Sequence, residues 1–243
     1  MSNRVTQPIP NTLTCLNLFS GCVACVMAFG ADYRGALLFI GLSAVFDFFD
    51  GLAARLLRAP SRIGKDLDSL ADDVSFGVAP SAVVFSLLGS MPYPACLSAV
   101  SAYLPYIAFI ISVFSGLRLA KFNNDARQAH SFIGLPVPAN ALFWASLAYS
   151  MEDFLLSGRV SPLWLLAGCV VASALLVCEL PMFSLKLTNL RWRDNRVVYV
   201  FLLVCILLLV FLRTAGIAAC IVWYVVLSLI MRLREVNRRQ GRP

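Results

Sequence analysis

The chain has 243 residues, of which 60% are hydrophobic and only 14% are charged. Ordinary soluble domains are about 45 to 50% apolar and about 25% charged, so this composition excludes a typical soluble globule. A secreted disulfide scaffold is excluded as well, because the eight cysteines lie mostly inside long apolar runs. The formal net charge of +7 is explained without a nucleic-acid partner if the basic residues lie in cytoplasmic loops that set the membrane topology.

Long uncharged stretches divide the chain into eight predicted membrane-spanning helices. A helix needs about 20 apolar residues to cross a hydrocarbon core of about 30 Å. The longest stretch, 74–117, is interrupted by glycine and prolines at 89–94 and therefore holds two spans. The predicted spans are 5–31, 35–58, two within 74–117, 135–151, 160–178, 197–212 and 214–231. The predicted fold class is an all-α integral membrane protein.

Basic residues are distributed unevenly between the predicted loops. With both termini on the inner side, the outer segments keep only Arg34, Arg159 and Arg213 of the 20 lysines and arginines. Because cytoplasmic loops collect Lys and Arg, this pattern predicts a multi-pass protein of the inner cell membrane with both termini in the cytoplasm. The basic tail 232–243 fits the same topology and attraction to anionic lipid head groups.

Acidic residues concentrate at the predicted inner ends of the second and third helices, facing the cytoplasm. Six of the 13 acids lie there: Asp47, Asp50, Asp66, Asp68, Asp72 and Asp73. A carboxylate within a membrane helix costs about 2.5 to 3.5 kcal/mol on insertion scales, so it usually faces a partner or a polar cavity. Several such carboxylates together require a cation, and function is expected here.

Helical geometry sorts these acids, because successive residues of a helix are about 100° apart. One face of the second helix holds Asp47, Asp50, Gly51 and Ala54. One face of the third helix holds Asp68, Asp72, Ser75 and Ala79. Asp66 and Asp73 point away and are expected to form caps or salt bridges. A short turn at 58–65 would join the two acidic faces into a cage of four carboxylates.

A cage of this kind favours hard cations, because its oxygen ligands have no histidine or cysteine nearby. Mg²⁺ or Mn²⁺ is expected, and four carboxylates can serve two ions that clamp a phosphoryl group. The small Gly51 and Ala54 would admit a bulky ligand, and Arg55 can neutralise a phosphate or pair with an aspartate. On burial alone, an ion or proton pathway through Asp47 and Asp50 of a transporter stays open.

The spacing of these residues resembles the signature of the CDP-alcohol phosphatidyltransferases. The pattern runs Asp47-Phe-Phe-Asp50-Gly51-Leu-Ala-Ala54-Arg55, then eight residues to Gly64, three to Asp68 and three more to Asp72. The resemblance implies a metal-dependent transfer of a phosphatidyl group from a CDP-activated lipid to an alcohol, with release of CMP. It also implies a homodimer.

The resemblance assigns roles within the signature. Four aspartates are expected to bind two Mg²⁺ or Mn²⁺ ions: Asp47, Asp50, Asp68 and Asp72. The last of these, Asp72, is also the expected base for the acceptor hydroxyl. The expected substrate-binding residues of the signature and its flank are Gly51, Ala54, Arg55, Gly64 and Ser75.

Flanking segments at 10–14, 67–80, 117–123, 132–136 and 181–186 are similar to the phosphatidylserine synthase branch of that family. The resemblance covers about 8–190, so the single domain 1–243 is expected to comprise a six-helix core, two further helices at about 197–231 and the tail. The expected substrates are then CDP-diacylglycerol and serine. Serine needs one cationic residue to bind its carboxylate. Arg118 or Lys121 is expected to be this residue.

Several alternatives stay open at this point. The same chemistry could use inositol phosphate, glycerol phosphate or choline, and a divalent-cation transporter is the competing hypothesis from another class. On the first helix, polar and small residues fall mostly on one side, where they either pack helices or line the substrate cavity. These residues are Asn11, Thr14, Asn17 and Gly21.

Overall fold

A computed structural model describes residues 8–57, 62–124, 134–180, 182 and 195–240 of the chain. Within these residues the regular structure is helical throughout, and no strand occurs. The α-helices are α1 (Pro8–Phe29), α2 (Tyr33–Leu56), α3 (Arg62–Asp72), α4 (Ala79–Ser90), α5 (Ile110–Asn124), α6 (Val137–Leu156), α7 (Pro162–Val177), α8 (Arg196–Leu212) and α9 (Ala215–Gln240). A π-helical turn, Asp73–Val78, joins α3 to α4, and short 3₁₀ segments at Ala95–Leu97 and Leu104–Phe109 precede α5.

The predicted membrane architecture is confirmed. Each of the eight predicted spans corresponds to one helical rod, because α3, the π-turn and α4 form a continuous helix. Five rods are long and apolar enough to cross a membrane: Pro8–Phe29, Tyr33–Leu56, Ile63–Ser90, Leu104–Asn124 and Ala215–Leu233. Two further apolar helices, α7 and α8, are shorter. The protein is an all-helical, multi-pass membrane protein.

The third rod begins earlier and is less regular than the sequence pattern predicted. The turn expected at 58–65 ends sooner, because α3 already begins at Arg62; residues 58–61 lie outside the described residues. A π-turn then replaces the regular helix from Asp73 onward. Pro80 follows this turn at the start of α4, where its ring would clash with the carbonyl of an ordinary preceding helical turn. The wider turn therefore accommodates the proline.

Helix α1 lies at the centre of the arrangement that positions the candidate site. It packs against α2, against α3 with the π-turn, and against α4. The turn to α2 is closed by Asp32, whose side chain accepts a hydrogen bond of 2.8 Å from the backbone N–H of Gly35. Farther out, α2 packs on α6, α5 on α7, and α9 on both α6 and α8.

Gly21 allows α1 to approach the third rod closely. A Cβ at this position would lie 2.8 Å from the Cα of Ser75 and would also overlap its side chain. Both residues are buried, and the Ser75 hydroxyl donates a 3.0 Å hydrogen bond to the backbone oxygen of Asn17, one turn earlier on α1. The backbones of α1 and the π-turn are therefore in direct contact, which only glycine permits at this crossing.

We expect Gly21→Ala to destabilise the protein by about 1 to 3 kcal/mol, because α1 must move away from the π-turn. The measurement is thermal unfolding of the purified protein in detergent. Gly41→Ala is the matched control: it lies within α2, a Cβ there meets nothing within 4 Å, and alanine favours a helix by up to about 1 kcal/mol. Equal stability of the Gly21 variant and the wild type would contradict the close approach.

Candidate active site

Three carboxylates from two helices meet at one end of the bundle. Asp47 and Asp50 come from α2 and Asp68 comes from α3. One oxygen atom from each carboxylate lies within 4.8 Å of the corresponding oxygens of the other two. This is the convergence that the helical phases predicted: Asp47 and Asp50 are one turn apart on one face of α2, and their carboxyl groups reach that of Asp68.

Asp72 completes the cluster from the last residue of α3. Its carboxyl group is adjacent to that of Asp47, and the charged groups that act on it are the other three aspartates. Asp68 and Asp72 both precede the π-turn, so their one-turn spacing is that of a regular helix. We call Asp47, Asp50, Asp68 and Asp72 the carboxylate cage.

Helix α1 holds two of these carboxylates by hydrogen bonds. The Thr14 hydroxyl donates to Asp50 Oδ2 at 2.7 Å, and Asn17 Nδ2 donates to Asp72 Oδ1 at 3.1 Å. Both α1 side chains are buried. The backbone oxygen of Asn17 in turn accepts hydrogen bonds from Ser43 at 3.1 Å and Ser75 at 3.0 Å. One turn of α1 therefore fixes α2 and the third rod relative to each other.

The sequence left open whether Thr14 and Asn17 pack helices or line a cavity, and the contacts show that they orient the cage. The signal available in the sequence was their three-residue spacing within an apolar helix, which places both on one face. Nothing in the sequence indicated which carboxylate each one would bind.

The cage fits a divalent cation. Its donors are all carboxylate oxygens, and the groups that act electrostatically on Asp47 are themselves acids. Asp68 Oδ1 is buried, and no described residue donates a hydrogen bond to it. A buried carboxylate oxygen is normally paired or bound to a metal. Clustered oxygen ligands without nitrogen or sulfur suit hard divalent cations, so the cage could bind such an ion.

The residues predicted to contact the nucleotide lie beside the cage on α2. A Cβ on Gly51 would meet nothing within 4 Å, so the space above this residue is open. Ala54 is half-buried, and Arg55 is exposed with its Nε donating to the Gly51 backbone oxygen at 2.9 Å. The Arg55 guanidinium is thereby tethered near the open space.

The other two predicted substrate residues lie on the third rod. Gly64 is half-buried in the first turn of α3. Ser75 is fully buried, and its hydroxyl is used in the contact with α1. Direct binding of substrate by either residue stays a prediction.

Arg118 and Lys121 occupy different environments on α5. Arg118 is buried, with 7% of its surface exposed, and its Nε donates to none of the described residues. Asp72 of the cage and Tyr224 of α9 lie within electrostatic range of its guanidinium. Lys121 is exposed near the end of the helix. The sequence indicated neither the burial of Arg118 nor the approach of α9, and binding of the serine carboxylate by Arg118 or Lys121 stays a prediction.

The two acids predicted to point away from the cage are outside it. Asp66 is exposed on α3. Asp73 faces α5: its Oδ1 would lie 2.8 Å from a Cβ on Gly77 and 3.3 Å from one on Gly116. The charged groups of the cage are not among those that act on Asp73. Its Oδ1 is buried and accepts no hydrogen bond from the described residues.

Comparison with known proteins gives the family of this site. The family model described as CDP-alcohol phosphatidyltransferase matches residues 7–180. This range includes the cage and the two α1 residues, Thr14 and Asn17, that donate hydrogen bonds to it. The chain belongs to the CDP-alcohol phosphatidyltransferase family. The matched region ends before α8 and α9.

Relatives within this family share one description, CDP-diacylglycerol–serine O-phosphatidyltransferase. The protein of that name from Bacillus subtilis is 36% identical over 150 residues, which are 61% of this chain and 80% of the relative. One from Mycobacterium bovis is 34% identical over 185 residues, covering 72% of this chain and 61% of the longer relative. One from Helicobacter pylori is 31% identical over 208 residues, covering 84% and 81%.

We expect Thr14→Val to weaken divalent-cation binding by about 10- to 100-fold, the usual effect of losing a hydrogen bond to a metal-binding carboxylate. Valine keeps the shape of threonine but cannot donate to Asp50. The measurement is a titration of Mn²⁺ followed by electron paramagnetic resonance. Thr12→Val is the matched control, because the Thr12 hydroxyl is exposed and donates to the backbone oxygen of Pro8 rather than to a cage carboxylate. Similar Mn²⁺ affinity in both variants would contradict the orienting role.

Proposed function

We propose that this member of the CDP-alcohol phosphatidyltransferase family transfers the phosphatidyl group of CDP-diacylglycerol to L-serine and releases CMP. The observation that carries the proposal is the carboxylate cage, built from the family's signature residues and held by α1. The relatives named for the serine reaction support this acceptor. The cation-transporter alternative is not favoured, because the model of this enzyme family matches residues 7–180, which include the whole cage.

In the proposed reaction, the serine hydroxyl oxygen attacks the phosphorus that carries the diacylglycerol. A new P–O bond forms, and the bond from this phosphorus to the CMP oxygen breaks with its electron pair leaving on CMP. The four carboxylates of the cage would hold two Mg²⁺ or Mn²⁺ ions. When bound, these ions would neutralise charge on the diphosphate and on the leaving oxygen. Proton transfer and the binding of both substrates are proposed for the protein's own side chains.

Asp72 is proposed to accept the proton of the serine hydroxyl. Asn17 orients this carboxylate by the 3.1 Å hydrogen bond to its Oδ1, and a positioned carboxylate can take up the proton of an attacking hydroxyl. Arg118 is proposed to bind the serine carboxylate, since it is buried, its Nε is without a partner among the described residues, and it lies near Asp72. The open space above Gly51, with Arg55 tethered beside it, is proposed for the cytidine diphosphate.

We also propose that the protein lies in the inner membrane with both termini and the site at the cytoplasmic face, and that it forms a homodimer. The unequal distribution of basic residues supports the orientation. The proposed orientation would bring the helix ends that carry the cage and Arg118 to this side. It would also bring there the contact in which Arg232 Nη1 donates to the Glu179 backbone oxygen at 3.1 Å.

The proposed activity is tested with purified protein in detergent–lipid micelles containing CDP-diacylglycerol and Mn²⁺ or Mg²⁺. Serine, inositol phosphate, glycerol phosphate and choline are supplied in turn, and CMP and the lipid product are quantified. Formation of phosphatidylserine with serine, abolished by Asp47→Asn or by chelation of the metal, is the expected result. Product from another acceptor and none from serine would keep the enzyme class and overturn the acceptor.

We expect Asp72→Asn to lower the rate of the chemical step at least about 100-fold, the lower end of general-base contributions, with a smaller effect on CDP-diacylglycerol binding. Single-turnover CMP release measures the step, and equilibrium binding of the lipid is measured separately. Asp73→Asn is the neighbouring control: its carboxyl group faces α5, so we expect near-normal turnover. A larger loss of turnover in the Asp73 variant than in the Asp72 variant would reassign the base.

We expect Arg118→Ala to raise the Michaelis constant for serine about tenfold or more, because a charge-assisted hydrogen bond contributes about 1.5 to 3 kcal/mol. The Michaelis constant for CDP-diacylglycerol should change little. Lys121→Ala, on the same helix but exposed, should have a weaker effect. Initial rates across serine concentrations measure both variants. Unchanged serine dependence in both would move the acceptor site to another part of the chain.

A further inference from the structure

A cavity lies outside the carboxylate cage, between α6, α7 and α9. Its volume is about 350 Å³, within the range of about 300 to 1,000 Å³ that is typical of ligand pockets. Its lining is almost entirely apolar, and none of the lining residues belongs to the cage or the family signature. Trp164, Val171 and Val222 line it and are also exposed on the outer surface of the bundle. The cavity therefore opens sideways, toward the lipid.

One lining residue is polar and without partners. Asn140 of α6 is fully buried, yet neither its Nδ2 nor its Oδ1 makes a hydrogen bond to any described residue. Trp144, one turn along the same helix, also lines the cavity and has a buried Nε1 without a partner in the same part of the chain. Buried amide groups are nearly always hydrogen-bonded, so this pair calls for a ligand with a hydrogen-bond acceptor.

The cavity is long enough for an acyl chain. Along α7 its lining extends from Leu175, near the inner end of the helix, to Trp164 near the other end, eleven steps of about 1.5 Å each or about 16 Å in total. Half of a hydrocarbon core of about 30 Å is about 15 Å, so a chain from the inner leaflet fits within this length. Asn140 lies in the first turn of α6, near the helix ends that carry Arg118 and the cage. The polar group is therefore at the membrane boundary, and the apolar part extends inward from it.

We propose that this cavity binds one acyl chain of a resident bilayer glycerophospholipid, whose ester carbonyl accepts a hydrogen bond from Asn140 Nδ2. In a bilayer, ester groups lie at the boundary of the hydrocarbon and chains extend from them toward the midplane, as Asn140 and the apolar lining do. The same ester and chain chemistry occurs in CDP-diacylglycerol. The described lining contains no cage or signature residue, so the proposal is for a bilayer lipid, and competition with CDP-diacylglycerol tests this choice.

The consequence concerns the C-terminal helices. In the described part of the chain, α9 packs on α6 and α8, and the cavity occupies the space between α9, α6 and α7. A lipid chain there contacts all three helices at once. It therefore joins α9, which approaches Arg118 through Tyr224, to α6 and α7 of the region matched by the family model.

The test uses phosphatidylcholine that carries a photoreactive diazirine in one acyl chain, with the full-length protein in nanodiscs of otherwise unlabelled phosphatidylcholine. After irradiation, mass spectrometry maps the adducts. We expect adducts concentrated on α6, α7 and α9 at cavity residues. Ala172→Phe, which fills the cavity from α7, should reduce them several-fold. Val170→Phe on the outer face of α7, which is 52% exposed and does not line the cavity, should not.

Asn140→Leu provides an independent arm, since it keeps the size of the side chain and removes its hydrogen bond. We expect about fivefold less phosphatidylcholine to remain with this variant after detergent washing, as measured by lipid extraction, which corresponds to one ordinary hydrogen bond. Gel filtration checks that each variant is folded. If Ala172→Phe does not fold, the Asn140 arm decides.

Three outcomes would overturn the proposal. Adducts distributed evenly around the bundle, or unchanged in Ala172→Phe, would mean that the cavity holds no particular lipid. Loss of the adducts when CDP-diacylglycerol is added at the concentration of the probe would assign the cavity to the substrate. Protein–protein cross-links through the cavity residues in place of lipid adducts would assign it to a second copy of the chain.

Discussion

Repulsion among the four carboxylates of the cage is the constraint on which the rest of the structure depends. Two unit charges 4.8 Å apart, the limit of the separations among Asp47, Asp50 and Asp68, repel by about 3 kcal/mol at an effective dielectric constant of about 20. Such a cluster stays fully ionised only if rigid neighbours hold it and a cation offsets its charge. Helix α1 supplies the first condition through Thr14 and Asn17, and a divalent cation would supply the second.

The requirement for rigidity explains why α1 is in contact with so much of the bundle. The hydrogen bond from Asn17 to Asp72 depends on the distance between α1 and the third rod. Gly21 sets this distance by allowing direct backbone contact with Ser75. Ser43 of α2 and Ser75 of the π-turn then donate hydrogen bonds to the same backbone oxygen, that of Asn17. One small residue and one carbonyl thus hold two helices at the spacing that the carboxylates need.

The sequence was sufficient to predict the eight helical rods and the four acids, because uncharged length and helical phase are local properties. It could not predict the π-turn at Asp73–Val78, since this turn depends on how Pro80 and the contact with α1 are accommodated together. It also could not assign Thr14 to Asp50 or Asn17 to Asp72, or bring α9 near Arg118. These contacts join residues far apart in the chain, and only the packed bundle determines them.

The charges around the cage also bear on the acceptor. Among the residues that the structure describes, Arg118 is the one buried lysine or arginine, whereas Arg55 and Lys121 are exposed. A phosphorylated acceptor would bring a charge of about −1.5 to −2 into a site already rich in acids. Serine brings one carboxylate together with its own ammonium group. A single buried guanidinium near the proposed base therefore matches a zwitterion better than a phosphate ester, in agreement with the names of the relatives.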